Sequence, residues 1–96
     1  MRYELMLAPG AARQLRQLDA HVRAEVRDAL EVHLRHEPAR VSRSRIKRLR
    51  GLTRPQYRLR VEEIRVFYDI EGSNVEVLAV VPKAEAESWL VQFGKP

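Results

Sequence analysis

Tyr57-Arg58-Leu59-Arg60-Val61-Glu62-Glu63-Ile64-Arg65-Val66-Phe67-Tyr68-Asp69-Ile70 is the stretch that decides the architecture. Side chains of an extended chain alternate between faces, so Tyr57, Leu59 and Val61 share one face of a strand and Arg58 and Arg60 the other. Only Glu62-Glu63 separates this run from the next, and so short a connection joins antiparallel neighbours. A third run, Val75 to Val81, follows Glu71-Gly72-Ser73-Asn74, a composition that favours a tight turn. Leu59, Val66 and Val77 are the expected core positions. Phe67 shares the parity of Arg65 and either stacks a base or packs under a terminal helix. Tyr57 and Tyr68 have the parity of packing residues whose hydroxyls need partners.

Outward from this meander, Tyr3, Leu5 and Leu7 alternate with Arg2, Glu4 and Met6 and predict a first strand ending at Ala8-Pro9-Gly10. Ala11, Leu15 and Leu18 recur at helical spacing. Asp19 is placed to cap a second helix, whose apolar positions are Val22, Val26, Ala29, Leu30 and either His33 or Leu34, and Pro38 ends it. Two such helices with a short joint form a hairpin. Pro82 closes the last strand, and Ala84 to Phe93 carries Ala86, Trp89, Leu90 and Phe93 at helical spacing. The order β-α-α-β-β-β-α belongs to the α+β class. The expected fold is an N-terminal strand, a helical hairpin, a three-to-four-stranded mainly antiparallel sheet and a short C-terminal helix, in one domain over residues 1–96.

The chain has 96 residues, a formal net charge of +5 and no cysteine. Without thiols there are no disulfides or thiolate metal sites, and a reducing cytoplasm is the compatible compartment. No run of about 18 apolar residues and no basic-then-apolar leader occurs, so neither a membrane span nor a signal peptide is expected. The charge is concentrated. Between Arg35 and Arg60 the only acid is Glu37, whereas Glu62, Glu63, Asp69, Glu71, Glu76, Glu85 and Glu87 dominate downstream. Such asymmetry is either a solvated outer face or a localised field that draws an anion, nucleic acid being the commonest such partner.

Other chemistries find little support. His33 and His36 make half of a metal site with no cysteine or carboxylate pair to complete it, and read as helix-surface residues; His21 stands alone. Ser42, Ser44 and Ser73 lack a histidine-acid partner at readable spacing. The four glycines are scattered, so there is no phosphate loop and no cofactor is expected.

Behind the helical hairpin, Lys47-Arg48-Leu49-Arg50-Gly51-Leu52 followed by Tyr57-Arg58-Leu59-Arg60-Val61 and Ile64-Arg65-Val66-Phe67-Tyr68 resembles the RelE/ParE superfamily of bacterial type II toxin-antitoxin toxins. The resemblance spans nearly the whole chain in element order. It is most specific where a Leu-Arg-Gly loop precedes one strand reading Tyr, basic, x, basic and another reading Arg, Val, x, Tyr.

The resemblance implies a cytoplasmic toxin neutralised by a cognate antitoxin protein. RelE-like members cut messenger RNA in the ribosomal decoding site; ParE-like members poison DNA gyrase and are not nucleases. Carried over by position, the catalytic set becomes Arg58, Arg60, Arg65 and Lys83, with Lys47, Arg48, Arg50, Arg43 and Arg45 binding RNA. Arginines stand where the RelE pattern has lysines, and a guanidinium is a poor general base. Trp89 or Leu90 occupies the region of the expected C-terminal tyrosine. Because the cationic face suits RNA, the expected function is a ribosome-dependent, metal-independent endoribonuclease that inhibits translation. The alternatives are a gyrase inhibitor and a catalytically weakened homologue acting mainly through antitoxin binding.

Overall fold

A computed structural model describes all 96 residues. Five strands form one sheet in the order β1-β5-β4-β3-β2: β1 (Glu4–Leu7), β2 (Ile46–Arg48), β3 (Tyr57–Val61), β4 (Ile64–Glu71) and β5 (Asn74–Pro82). The helices are α1 (Pro9–Gln17), α2 (Ala20–Ala29) and α3 (Lys83–Phe93). α2 runs on into a π-helical turn, Leu30–Leu34. The α+β class and element order follow the sequence reading, with one strand more than the three or four expected. The addition is β2, three residues inside the basic segment, which pairs antiparallel with β3 through Ile46 and Leu59.

β1 pairs with β5 in parallel, the one parallel contact of the sheet. It stops at Leu7, opposite Val77. Beyond it the N–H of Val80 would face no strand, and Gln14 of α1 accepts its hydrogen bond at 2.8 Å, in keeping with the rule that buried backbone donors find partners. Pro9 opens α1 rather than closing β1, because proline's fixed φ suits the first helical turn and its missing N–H costs nothing there. Asp19 does occupy the N-cap of α2, yet its side chain makes no capping hydrogen bond.

The two faces of the sheet bury different clusters. Leu59, Val61, Val66, Tyr68, Val75 and Val77 pack beneath the helical hairpin against Ala11, Leu15, Val26, Leu30 and Leu34, as the alternation predicts. The buried Tyr68 stacks on Tyr57 with centroids 5.5 Å apart. Its hydroxyl donates to the carbonyl of Pro38 at 2.6 Å, pinning the chain that leaves the helices. On the other face Phe67, Ala79 and Val81 lie under α3, with Leu49, Ala86, Trp89 and Leu90 packed against them. Phe67 stacks on Trp89 at 5.2 Å and 7°, so it is a core residue rather than a base platform.

Both ends of α3 are tied to the segments that flank β3. The N–H of Lys83 donates to Glu63, and Lys95 exchanges backbone hydrogen bonds with Arg54. No helix is long and apolar enough to cross a membrane.

Candidate nucleic-acid interface

Directly opposed residues of an antiparallel pair point to the same side. Lys47 lies opposite Arg58, Arg58 opposite Phe67, and Arg60 opposite Arg65. One face of β2, β3 and β4 therefore carries Lys47, Arg58, Arg60 and Arg65 together. α3 roofs the β4–β5 half of that face and leaves the β2–β3 half open, so Lys47 and Arg60 are exposed and Arg58 is half-buried. Arg65 is the seam between the halves, only 8% exposed.

Arg65 makes no ion pair with Asp69, Glu62 or Glu63 carboxylates, the partners that sequence spacing offers it. Its guanidinium donates instead to the main-chain carbonyls of Glu62 at 2.8 Å and Ile64 at 3.0 Å. The β3–β4 connection explains this. In a two-residue hairpin the favoured turns need positive φ, and Glu62 takes it at 53°, turning its carbonyl toward Arg65. Asp69 is occupied elsewhere: it accepts from the N–H of Gln56 at 2.7 Å and from Arg54 at 3.4 Å, and Glu76 also pairs with Arg54.

Arg58 is the most constrained cation of the open half. Its terminal nitrogen reaches the carbonyl of Ser44 at 3.4 Å, and its buried Nε has no partner. Burial, and then the charges of Arg65 and Arg60, lower its pKa below the ordinary guanidinium value. It nevertheless stays protonated at neutral pH, as arginine does in proteins. Beside two like charges, the half-buried Arg58 guanidinium marks a site where a bound anion would relieve the mutual repulsion.

The remaining sequence candidates divide by position. Arg45 sits at the sheet edge, its carbonyl accepting from the N–H of Arg60, and with Ser44, Arg60 and Glu62 it lines a polar cavity of about 230 Å³. Arg48, paired with Tyr57, turns to the opposite face from Lys47 and lies 5.1 Å over the Tyr57 ring, donating to Gln56. Arg43 and Arg50 are exposed in the flanking loops. Lys83 is exposed at the first position of α3, beside the Glu62–Glu63 turn. The structure thus brings Lys47, Arg58, Arg60 and Arg45 to one open surface, sets Arg65 beneath it and Lys83 at its end, and leaves Arg48 outside. Ser44 and Glu62 join the surface through a carbonyl and a turn conformation that no residue pattern announces.

The family model described as the ParE toxin of the type II toxin-antitoxin system parDE matches residues 5–87. The chain belongs to this family of RelE/ParE toxins. Among solved structures the toxin is similar to a chain of the RelBE2 toxin-antitoxin complex from Mycobacterium tuberculosis, with 26% identity, a TM-score of 0.73, and coverage of 85% of this chain and 99% of that one. It is also similar to a mutant of E. coli toxin RelE in the free state, with 25% identity, a TM-score of 0.69, and coverage of 93% and 92%. The RelB-RelE complex from Methanococcus jannaschii shares the fold at 16% identity and a TM-score of 0.67, covering 88% and 96%. No curated protein matches the chain. It is a type II toxin.

Proposed function

We propose that this toxin inhibits translation by cleaving messenger RNA on the ribosome, with the open half of its cationic face on the scissile phosphate. The observation that carries the reading is the row Lys47, Arg58 and Arg60 on one uncovered surface, with the Arg58 Nε unpartnered beneath it. A phosphodiester seated there accepts from Arg58 and Arg60 and spreads its developing charge over both guanidinium groups, an electrostatic contribution that cleavage requires. Arg65 supports them from below by fixing the turn.

Metal-independent cleavage also needs a proton acceptor for the ribose 2′-hydroxyl and a donor for the leaving oxygen. Glu62, the one carboxylate lining the cavity with Arg60, is assigned the first role, and Lys83 at the end of the same surface the second. The 2′-oxygen attacks phosphorus as its proton passes to Glu62, the bond to the 5′-oxygen breaks, and that oxygen takes a proton from Lys83. The products are a 2′,3′-cyclic phosphate and a 5′-hydroxyl end. In a purified translation system, wild-type toxin should yield such ends within the translated frame, and Glu62→Gln or Arg58→Ala should lower the cleavage rate by about 100-fold. Unchanged cleavage by both variants contradicts the assignment.

The second reading is non-enzymatic inhibition of DNA gyrase. It is favoured by the match to the ParE toxin family model and by the absence of any histidine or tyrosine from the Lys47, Arg58, Arg60 row. Inhibition of gyrase supercoiling by pure toxin, with intact message in the translation assay, would establish it instead.

A further inference from the structure

Behind the β2 edge, around the corner from the cationic row, lies a second cleft of about 430 Å³, within the size range of sites that hold small ligands. One wall is the π-helical turn, which carries Val32 and His33; the other is the lead-in to β2, with Ser42, Ser44, Arg45 and Ile46. π-helical turns are rare and recur at functional sites. The polar side chain this one brings to the cleft is His33, a residue the phosphate row does not use.

Two observations connect this cleft to the row. Ser44 and Arg45 line both the cavity that holds Arg60 and the cleft that holds His33, so one polar path bends over the sheet edge. The contents of the cleft also suit a nucleobase better than a bare phosphate. Burial, and then the charge of Arg45, depress the His33 pKa. A neutral imidazole offers a flat ring with one donor and one acceptor. Arg40 adds an exposed guanidinium plane, on which bases stack. Glu37 is the opposing charge: it pairs with Arg40 at 3.3 Å and would repel a phosphate. Ser42 Oγ accepts from the N–H groups of Arg45 and Ile46, which leaves its own proton to give.

We propose that this cleft is a second nucleotide subsite, seating one unit of single-stranded RNA that has passed over the β2 edge, with its phosphate on Arg45 and its base against His33 and Arg40. The inference rests on the RNA reading of the cationic row and extends the bound strand beyond the scissile phosphate. It therefore makes affinity depend on RNA length, whereas the row alone would be saturated by a short oligomer.

The test is fluorescence anisotropy of labelled single-stranded RNA on the full-length toxin, comparing a tetranucleotide with a strand of about twelve nucleotides, which spans the usual range of single-strand sites. Arg40→Ala combined with His33→Gln should weaken the long RNA by about tenfold, the scale of one lost stacking contact, and leave the tetranucleotide unchanged. Glu37→Gln should tighten the long RNA by about two- to threefold, since it removes a like charge from the path. Arg40→Ala alone, at an exposed position, gives the same direction if the double variant folds poorly. Equal weakening of both lengths, or none of either, overturns the subsite while the row stands. Failure of the wild type to bind RNA of either length overturns the subsite, and intact message in the translation assay as well overturns the RNA reading with it.

Discussion

Replacing Tyr68 by phenylalanine removes one hydrogen bond and keeps the ring, its stack on Tyr57 and its place in the core. The hydroxyl donates to Pro38 at 2.6 Å, and both residues are fully buried, so no water takes over the carbonyl. Loss of the bond together with the unpaired carbonyl should cost about 2 kcal/mol. For a domain of this size that lowers the melting temperature by about 10 °C. The same phenol gives a pH signature. Burial, and then Tyr57, hold its pKa far above the ordinary value, so the unfolded chain loses this proton first as the solution turns alkaline. The stabilisation is complete below the ordinary phenol range and declines above it, by about 1.4 kcal/mol at about pH 11 for one group that stays protonated when folded. Urea titrations of wild type and Tyr68→Phe, near neutrality and near that pH, measure both effects. The variant should start lower and lose this component of the alkaline decline. Equal midpoints near neutrality, with parallel declines, would refute the role given to the hydrogen bond.

Leu59, fully buried between Ile46 and Val66, should cost about 2–4 kcal/mol on truncation to alanine, whereas Arg60→Ala on the opposite face should cost less than about 1; equal urea midpoints for the two would remove the two-face account. Arg65→Met should lose about 1–3 kcal/mol with its two carbonyl hydrogen bonds. Cleavage per folded molecule should then fall much less than the roughly 100-fold expected for Arg58→Ala, and a larger loss at Arg65 than at Arg58 would reverse their roles. Antitoxin affinity should drop by at least about tenfold as ionic strength rises from about 0.05 to about 0.5 M if an acidic segment covers Arg58 and Arg60. Calorimetry showing no salt dependence would place the anchor on apolar residues such as Trp89 and Phe93.

The meander was legible because its strands alternate cleanly and its turns are short: Tyr57 to Ile70 states both the pairing and the faces. β2 was not, since Ile46-Lys47-Arg48 holds a single apolar residue and becomes a strand only when Ile46 finds Leu59 across the ladder. Arg48 falls in with Lys47 in the sequence for the same reason, since alternation separates neighbours only once the segment is known to be extended. The π-helical turn left a trace in the sequence, the ambiguity between His33 and Leu34 as the inward residue; the structure buries Leu34 and leaves His33 on the cleft wall. Arg65 joins the cationic face through the β3–β4 register, which sets it opposite Arg60. That α3 would roof half of that face depends on where Trp89 finds its apolar target, and this is settled by packing rather than by pattern.

The central claim is that the exposed cations of β2 and β3 act on translated RNA, and pulse labelling after toxin induction in bacteria tests it most directly. The account predicts that amino-acid incorporation stops before thymidine incorporation, and that an Arg58→Ala, Arg60→Ala double variant, folded and expressed to the same level, arrests neither. Arrest of DNA synthesis first, with translation continuing and messages intact, would contradict it.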